Sequence, residues 1–176
     1  MQITDTRHIC KAVEGEALSL DQALQQIQRL GFSYHTAQMN VIDDDTPDDE
    51  IIEACHAQIA TLMEEDGYEF MEVIRLKSSP KDHAAYIYKP ERDNLEARLI
   101  TSGHCTLFVR FKGQILEFHC QAGDVIRMPG ELCYWIETDL GVCHYVHLYA
   151  SPDGWDNVTA RQDSHPCAMA HLKEAG

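Results

Sequence analysis

The chain is short of positive charge. Its 176 residues carry 14 Lys and Arg against 29 Asp and Glu, a formal net charge of −15. Nucleic acid needs a basic face to meet its phosphates, so that class of partner is excluded. The acid is gathered in short runs, Asp43-Asp44-Asp45, Asp48-Asp49-Glu50 and Glu64-Glu65-Asp66. These read as solvated loops and helix starts. No stretch reaches the roughly 18 consecutive apolar residues that suggest a membrane span. The opening Met1-Gln-Ile-Thr-Asp-Thr-Arg-His8 lacks the apolar core of a secretion signal, so a cytoplasmic protein is expected. Cys-x-x-Cys is missing as well, although seven cysteines stand at 10, 55, 105, 120, 133, 143 and 167. An odd, scattered set in a reducing compartment predicts free thiols. Most lie in apolar stretches, where Cys acts as a small hydrophobe.

What is present fits one folded domain over 1–176, with 44% apolar and 24% charged residues. The pattern divides it into a helical part at 1–67, a β-barrel at 68–150 and a tail at 151–176. Ser19-Leu-Asp-Gln22 has the form of a capping box. Leu20, Ala23, Leu24, Ile27 and Leu30 follow at helical spacing, and Gly31 stops a helix over 19–30. A second helix is expected over 47–66, with Thr46 before it, Pro47 at its first position and Asp49 completing the cap. Ile51, Ile52, Cys55, Ile59, Leu62 and Met63 form its apolar face, and Gly67 ends it. From Tyr68 the character changes to short strands with turn punctuation, at 70–76, 84–89, 96–102, 105–111, 114–120, 124–128, 133–137 and 142–149. Lys112-Gly113 marks a tight hairpin. So many short strands predict a double-sheet roll or barrel.

Within that region, Gly123 is followed after five residues by Pro129, and five residues further on stands Tyr134. This resembles the second motif of the cupin family, a Gly, a Pro and then a His at the Tyr134 position. Glu96 with Gly103 matches part of the first motif, whose two His positions are Pro90 and Arg92 here. The order of elements is similar to that of the acireductone dioxygenase family in particular. The two helices, Gly67-Tyr-Glu-Phe-Met-Glu-Val-Ile-Arg-Leu76, Glu96-Ala-Arg98, Gly123-Asp124, Pro129, Trp135 and Ser151-Pro-Asp-Gly-Trp155 carry the likeness over residues 18–160. It implies a mainly β cupin, a double-stranded β-helix with helices at its N-terminus.

The resemblance also implies an Fe(II) or Ni(II) centre held by three His and one Glu. Carried over position by position, only Glu96 keeps its ligand type. Pro90 has no donor, Arg92 is a fixed cation and Tyr134 is a poor ligand at neutral pH. Shifting the first motif by one residue gives Lys89 and Glu91, which is no better. Arg98 stands where the family contacts a substrate anion, and His147 where it often has an Arg on the last strand. A rebuilt carboxylate site from Glu91, Asp93, Glu96 and Glu131 is conceivable, but the cations Arg92 and Arg98 lie among those carboxylates. His144 and His147, three apart in one strand, point to opposite faces.

The expectation is therefore a cupin without a metal or other cofactor. Glu96 is the candidate base and Tyr134 the candidate acid, with Arg92, Arg98, His147 and Trp135 binding a small anionic or enolisable molecule. The reaction class would be a lyase, isomerase or tailoring step. Glu96 also reads as a structural ion pair with Arg92 or Arg98, and Trp135 and Trp155 as packing residues. Two other functions stay open: a non-catalytic small-molecule binder, and a metal-dependent dioxygenase with an unusual ligand set.

Overall fold

Alternation of inward and outward residues builds two antiparallel sheets in the computed structural model, which describes residues 9–12, 20–29, 31–40, 42–77, 95–111, 114–129, 133–138 and 141–150. One sheet has the order β1-β6-β5-β8, formed by Ile9–Ala12, Gln114–Gln121, His104–Phe111 and Cys133–Glu137. The other has the order β2-β7-β4-β9-β3, formed by Ser33–Thr36, Asp124–Met128, Glu96–Ser102, Val142–Tyr149 and Phe70–Lys77. Leu76, Ile100, Leu107, Phe118, Ile126, Ile136 and Tyr145 from both sheets form the core between them. This is the double-sheet roll that the strand spacing predicts. Phe111 pairs with Gln114 across the expected hairpin.

Helix α1, Leu20–Arg29, ends as expected at Gly31, which has φ +83°. Gly31 N–H donates to the Gln28 carbonyl at 3.0 Å and Phe32 N–H to the Ile27 carbonyl at 2.9 Å. That pair of bonds closes a Schellman motif, and it brings Ile27 and Phe32 together in the inter-sheet core.

The expected helix 47–66 is instead two helices, α2 (Asp48–Ala54) and α3 (His56–Asp66). Cys55 sits between them at φ −102°, ψ 7°. Backbone bonds still pass through the break, from Cys55 N–H to the Ile51 carbonyl and from Ile59 N–H to the Cys55 carbonyl. The bend lets Ile51, Cys55, Ile59 and Leu62 stay against Ala97, Leu99, Val125, Val146 and Leu148 on the outer face of the twisted five-stranded sheet. Pro47 is the N-cap rather than the first helical residue, and no side chain caps α2. Gly67, at φ 73°, closes α3 as expected.

The N-terminal part is not purely helical. β1 pairs with β6 and β2 with β7, so the region before residue 67 adds an edge strand to each sheet. Ser19, Leu30, the Lys112-Gly113 turn, the strand expected at 84–89 and the tail lie outside the described residues. No helix among those described is long and apolar enough to cross a membrane.

Strand β9 is covered on both faces, and its outward His144 is only 1% exposed. Arg75 Nη1 lies 3.4 Å from His144 Nε2, and the same guanidinium donates to the Asp44 and Thr46 carbonyls and to the Asp48 carboxylate. Burial, then the Arg75 charge, hold the His144 pKa below its usual 6.5. An unfolded chain therefore binds the proton more readily. Stability from this residue is full above about pH 6.5 and is lost as pH falls from there through the lower folded value. The thermal midpoint should drop less between about pH 7 and pH 5 in His144→Gln than in the parent; equal drops would remove this account.

Candidate functional site

Strand β4 is buried along its whole length because the other sheet covers one face and the helices the other. Alternation sends Glu96, Arg98 and Ile100 inward and Ala97 and Leu99 toward the helices. On the neighbouring β9, Arg98 stands opposite His147 and Glu96 opposite Tyr149. His147 is thus the diagonal neighbour of Glu96, within reach of a long side chain. On the other flank of β9, Glu72 of β3 stands opposite His147.

The register produces a line of charged groups. His147, 0% exposed, has Nε2 at 3.0 Å from Glu96 Oε2 and Nδ1 at 3.5 Å from Glu72 Oε1. Arg98 Nη2 lies 3.3 Å from the same Glu96 oxygen, and the side chains of both residues are 3% exposed. Arg98 Nη1 donates to Met128 Sδ at 3.0 Å, and its guanidinium carbon lies 5.5 Å from the centre of the Tyr145 ring. The Tyr149 ring packs 5.0 Å from that of His147. A neutral imidazole donates from one nitrogen only, so it can serve one of the two carboxylates; an imidazolium serves both. Glu72 is a third exposed and forms the outer end of the line.

Of the residues singled out in the sequence, the structure therefore brings together Glu96, Arg98 and His147. Arg92, Glu91, Asp93 and Glu131 lie outside the described residues. Tyr134 and Trp135 are on β8, opposite Val109 and Phe108, but their side chains are not among those described. Tyr134 stands two residues before Ile136, which packs in the inter-sheet core. Sequence reasoning missed Glu72 and the contact between His147 and Glu96. The signal for Glu72 was an acid among Phe70, Ile74 and Leu76 on one strand face; the contact itself depends on register and left no local signal.

Among the described residues, no group of three or more His, Cys, Asp or Glu stands where it could hold a metal ion together. Glu96 and His147 Nε2 face one another, while the second imidazole nitrogen points away to Glu72. An open groove of about 680 Å³ lies elsewhere, on the helix side of the sheet, lined in part by His35, Met39, Gln58, Leu62 and Arg127.

No family model matches the chain. Several curated proteins do, and they share one name. An acireductone dioxygenase of Parvibaculum lavamentivorans is 24% identical over 122 residues, 66% of each chain. One from Alcanivorax borkumensis is 27% identical over 133 residues, 71% of this chain and 72% of that one. One from Pseudomonas syringae pv. syringae is 29% identical over 116 residues, 61% and 62%. The chain thus spans about two thirds of the length of these relatives. Among solved structures, an acireductone dioxygenase from Bacillus anthracis with a cadmium ion in its active centre superposes with a TM-score of 0.67 at 18% identity. That superposition covers 85% of this chain and 96% of the other, and it carries the fold: the two sheets are the double-stranded β-helix of a cupin.

Proposed function

We propose that this chain is a divergent member of the acireductone dioxygenase family, whose curated relatives it resembles at 24% and 27% identity, and that it acts on a small anionic or enolisable molecule by acid–base chemistry, without the iron or nickel centre of the resembled enzymes. The observation that carries the reading is the double contact of Glu96 with Arg98 and His147, buried between the sheets. The carboxylate in the ligand position is held by a guanidinium, which supplies positive charge that a metal would bring, and by an imidazole. The residue types at the other ligand positions, Pro90, Arg92 and Tyr134, support the same reading.

In this mechanism the substrate anion is drawn to Arg98, with Arg92 proposed as a second anchor, whereas alternation along β8 places Trp135 on the face opposite Ile136 and removes it from the binding set. As the anion takes up the guanidinium, Glu96 loses part of its charge compensation. A buried carboxylate so released holds a proton more tightly and becomes a stronger base. Proton abstraction by Glu96 can then be relieved through His147, which faces Glu72 on its outer side. Tyr134 is assigned the acid that returns a proton to the product. The role of His147 thus moves from substrate contact to proton partner of Glu96. The chain is placed in the cytoplasm as one cupin domain over 1–176, a setting that suits the free thiols of Cys55, Cys105, Cys120 and Cys143.

A second reading is favoured by the shared name of the relatives, that of a metal-dependent dioxygenase. Elemental analysis of protein purified without chelators separates the two. We expect no stoichiometric iron, nickel or zinc, and no metal-dependent loss of acireductone in air. Small carboxylates and phosphorylated metabolites are expected to raise the melting temperature of the parent and not of Arg98→Met. Stoichiometric metal that disappears in Glu96→Ala would transfer the assignment to the dioxygenase. If Glu96→Gln keeps ligand binding and the parent turns over no member of the panel, the protein is a binder and not an enzyme.

A further inference from the structure

Three buried thiols meet at one corner of the roll. Cys105 of β5, Cys120 of β6 and Cys143 of β9 are 4%, 4% and 0% exposed, and all are free. Cys105 and Cys120 stand directly opposite one another in the β5–β6 ladder. Opposed residues of an antiparallel ladder have Cα atoms about 4.5–5.5 Å apart, within the roughly 4.4–6.8 Å that a disulfide spans. They share a face, so neither strand must slip to join them. Cys143 arrives from the other sheet because β4 turns into β5 at Gly103. The Gly103 backbone lies directly against Val142 and Cys143 there, and the two sheets converge.

The cluster is polarised. The Cys120 thiol donates to the Phe118 carbonyl at 3.4 Å, Cys105, Cys120 and Cys143 share one core cluster, and the Arg98 charge acts on the Cys105 thiol as well. The neighbouring thiols, and then the Arg98 charge, hold the Cys105 thiol well below its usual range, while Cys105 pushes the thiols of Cys120 and Cys143 up. Cys55 is the internal contrast: it is equally buried, and burial alone raises its thiol to about 11.

We propose that Cys105 and Cys120 form a thiol–disulfide couple, a site of reversible two-electron oxidation by hydroperoxides. The Cys105 thiolate attacks one oxygen of hydrogen peroxide and breaks the O–O bond. Cys105 becomes a sulfenic acid, and the released hydroxide takes up a proton as water. Cys120 then attacks the Cys105 sulfur, giving up its thiol proton. The sulfenic hydroxyl leaves with that proton as a second water, and the S–S bond forms. Two thiols are oxidised and one peroxide is reduced to two waters. A dithiol reductant reverses the change by exchange. Cys143 is the third thiol of the cluster, beside the pair. None of this depends on the metal question.

The experiment uses the full chain, dilute hydrogen peroxide, an alkylating quench and non-reducing mass spectrometry. The expected product has lost two hydrogens and yields a linked peptide joining Cys105 to Cys120. Dithiothreitol should restore the thiols, while Cys55 remains alkylatable after denaturation. Cys143→Ala should slow the reaction several-fold without moving the link. Cys120→Ala should leave a sulfenic acid at Cys105 that dimedone traps. A link from Cys105 to Cys143, oxidation of Cys55 at the same rate, or linkage only in denaturant would each overturn the proposal. The mapping on the parent decides even if a variant does not fold.

Discussion

Gly103→Ala is expected to be the most damaging single methyl that can be added to this protein's described glycines. The backbone there has φ +72°, where a side chain costs about 1–2 kcal/mol through its clash with the neighbouring carbonyl. A Cβ would also press directly into the Val142 carbonyl oxygen and lie 3.1 Å from Cys143 Cα. Both are backbone atoms of a buried strand, so no flexible side chain can give way. The sum should exceed about 4 kcal/mol, in the range reserved for broken core geometry. For a chain of this length that is a fall of roughly 8–16 °C in melting temperature. Gly67 and Gly141 are the controls. They have φ +73° and +76° with nothing within 4 Å of an added Cβ, so alanine there should cost only the backbone term. If Gly103→Ala melts with Gly67→Ala, the convergence of the sheets at this corner has been misjudged.

The second large effect is expected at Glu96. Removing its carboxylate leaves the Arg98 guanidinium buried beside an imidazole, with the shared anion gone. Breaking a buried pair from one side costs about 3–5 kcal/mol, mostly the penalty of an uncompensated charge. Glu96→Ala should therefore be strongly destabilised in a denaturant titration. A double variant, Glu96→Gln with Arg98→Met, should recover much of the loss because it buries no unpaired ion. Such recovery would not restore ligand binding, since Arg98 is the proposed anion anchor. A Glu96→Ala protein within about 1 kcal/mol of the parent would mean that water reaches the pair, and the account of a dry, paired carboxylate would fail.

The legible parts of this fold are those whose cause is local. Gly31 and Gly67 end helices by conformations that glycine adopts freely, and both stops are found where the sequence puts them. Strands such as Asp124–Met128 and Cys133–Glu137 are bounded by turn residues and match their expected spans. Strands β1 and β2 were missed because four residues such as Ile9–Ala12 carry no period of their own. They are strands only because β6 and β7 offer them a partner. The break at Cys55 was missed for a related reason. No Gly or Pro marks it, and the bend is set by the sheet beneath the helices. At the site, Glu96, Arg98 and His147 were legible through motif position, whereas Glu72 entered through cross-strand register. The cysteines show the same limit: 105, 120 and 143 read as three scattered small hydrophobes, and only the meeting of β5, β6 and β9 makes them neighbours.

The two edge strands from the N-terminal region also constrain the order in which the molecule is made. Ile9 pairs with Phe118 and Ser33 with Arg127, so β1 and β2, made before the rest of the roll, find their partners only after most of it has been synthesised. Until then α1 can form, but β1 and β2 have no ladder to join. Contacts so distant along the chain are slow to close. During that delay the free edges of β6 and β7 are templates for strands of other chains. The growing chain is therefore most exposed to aggregation between the emergence of β7 and the return of β1 and β2 to their ladders.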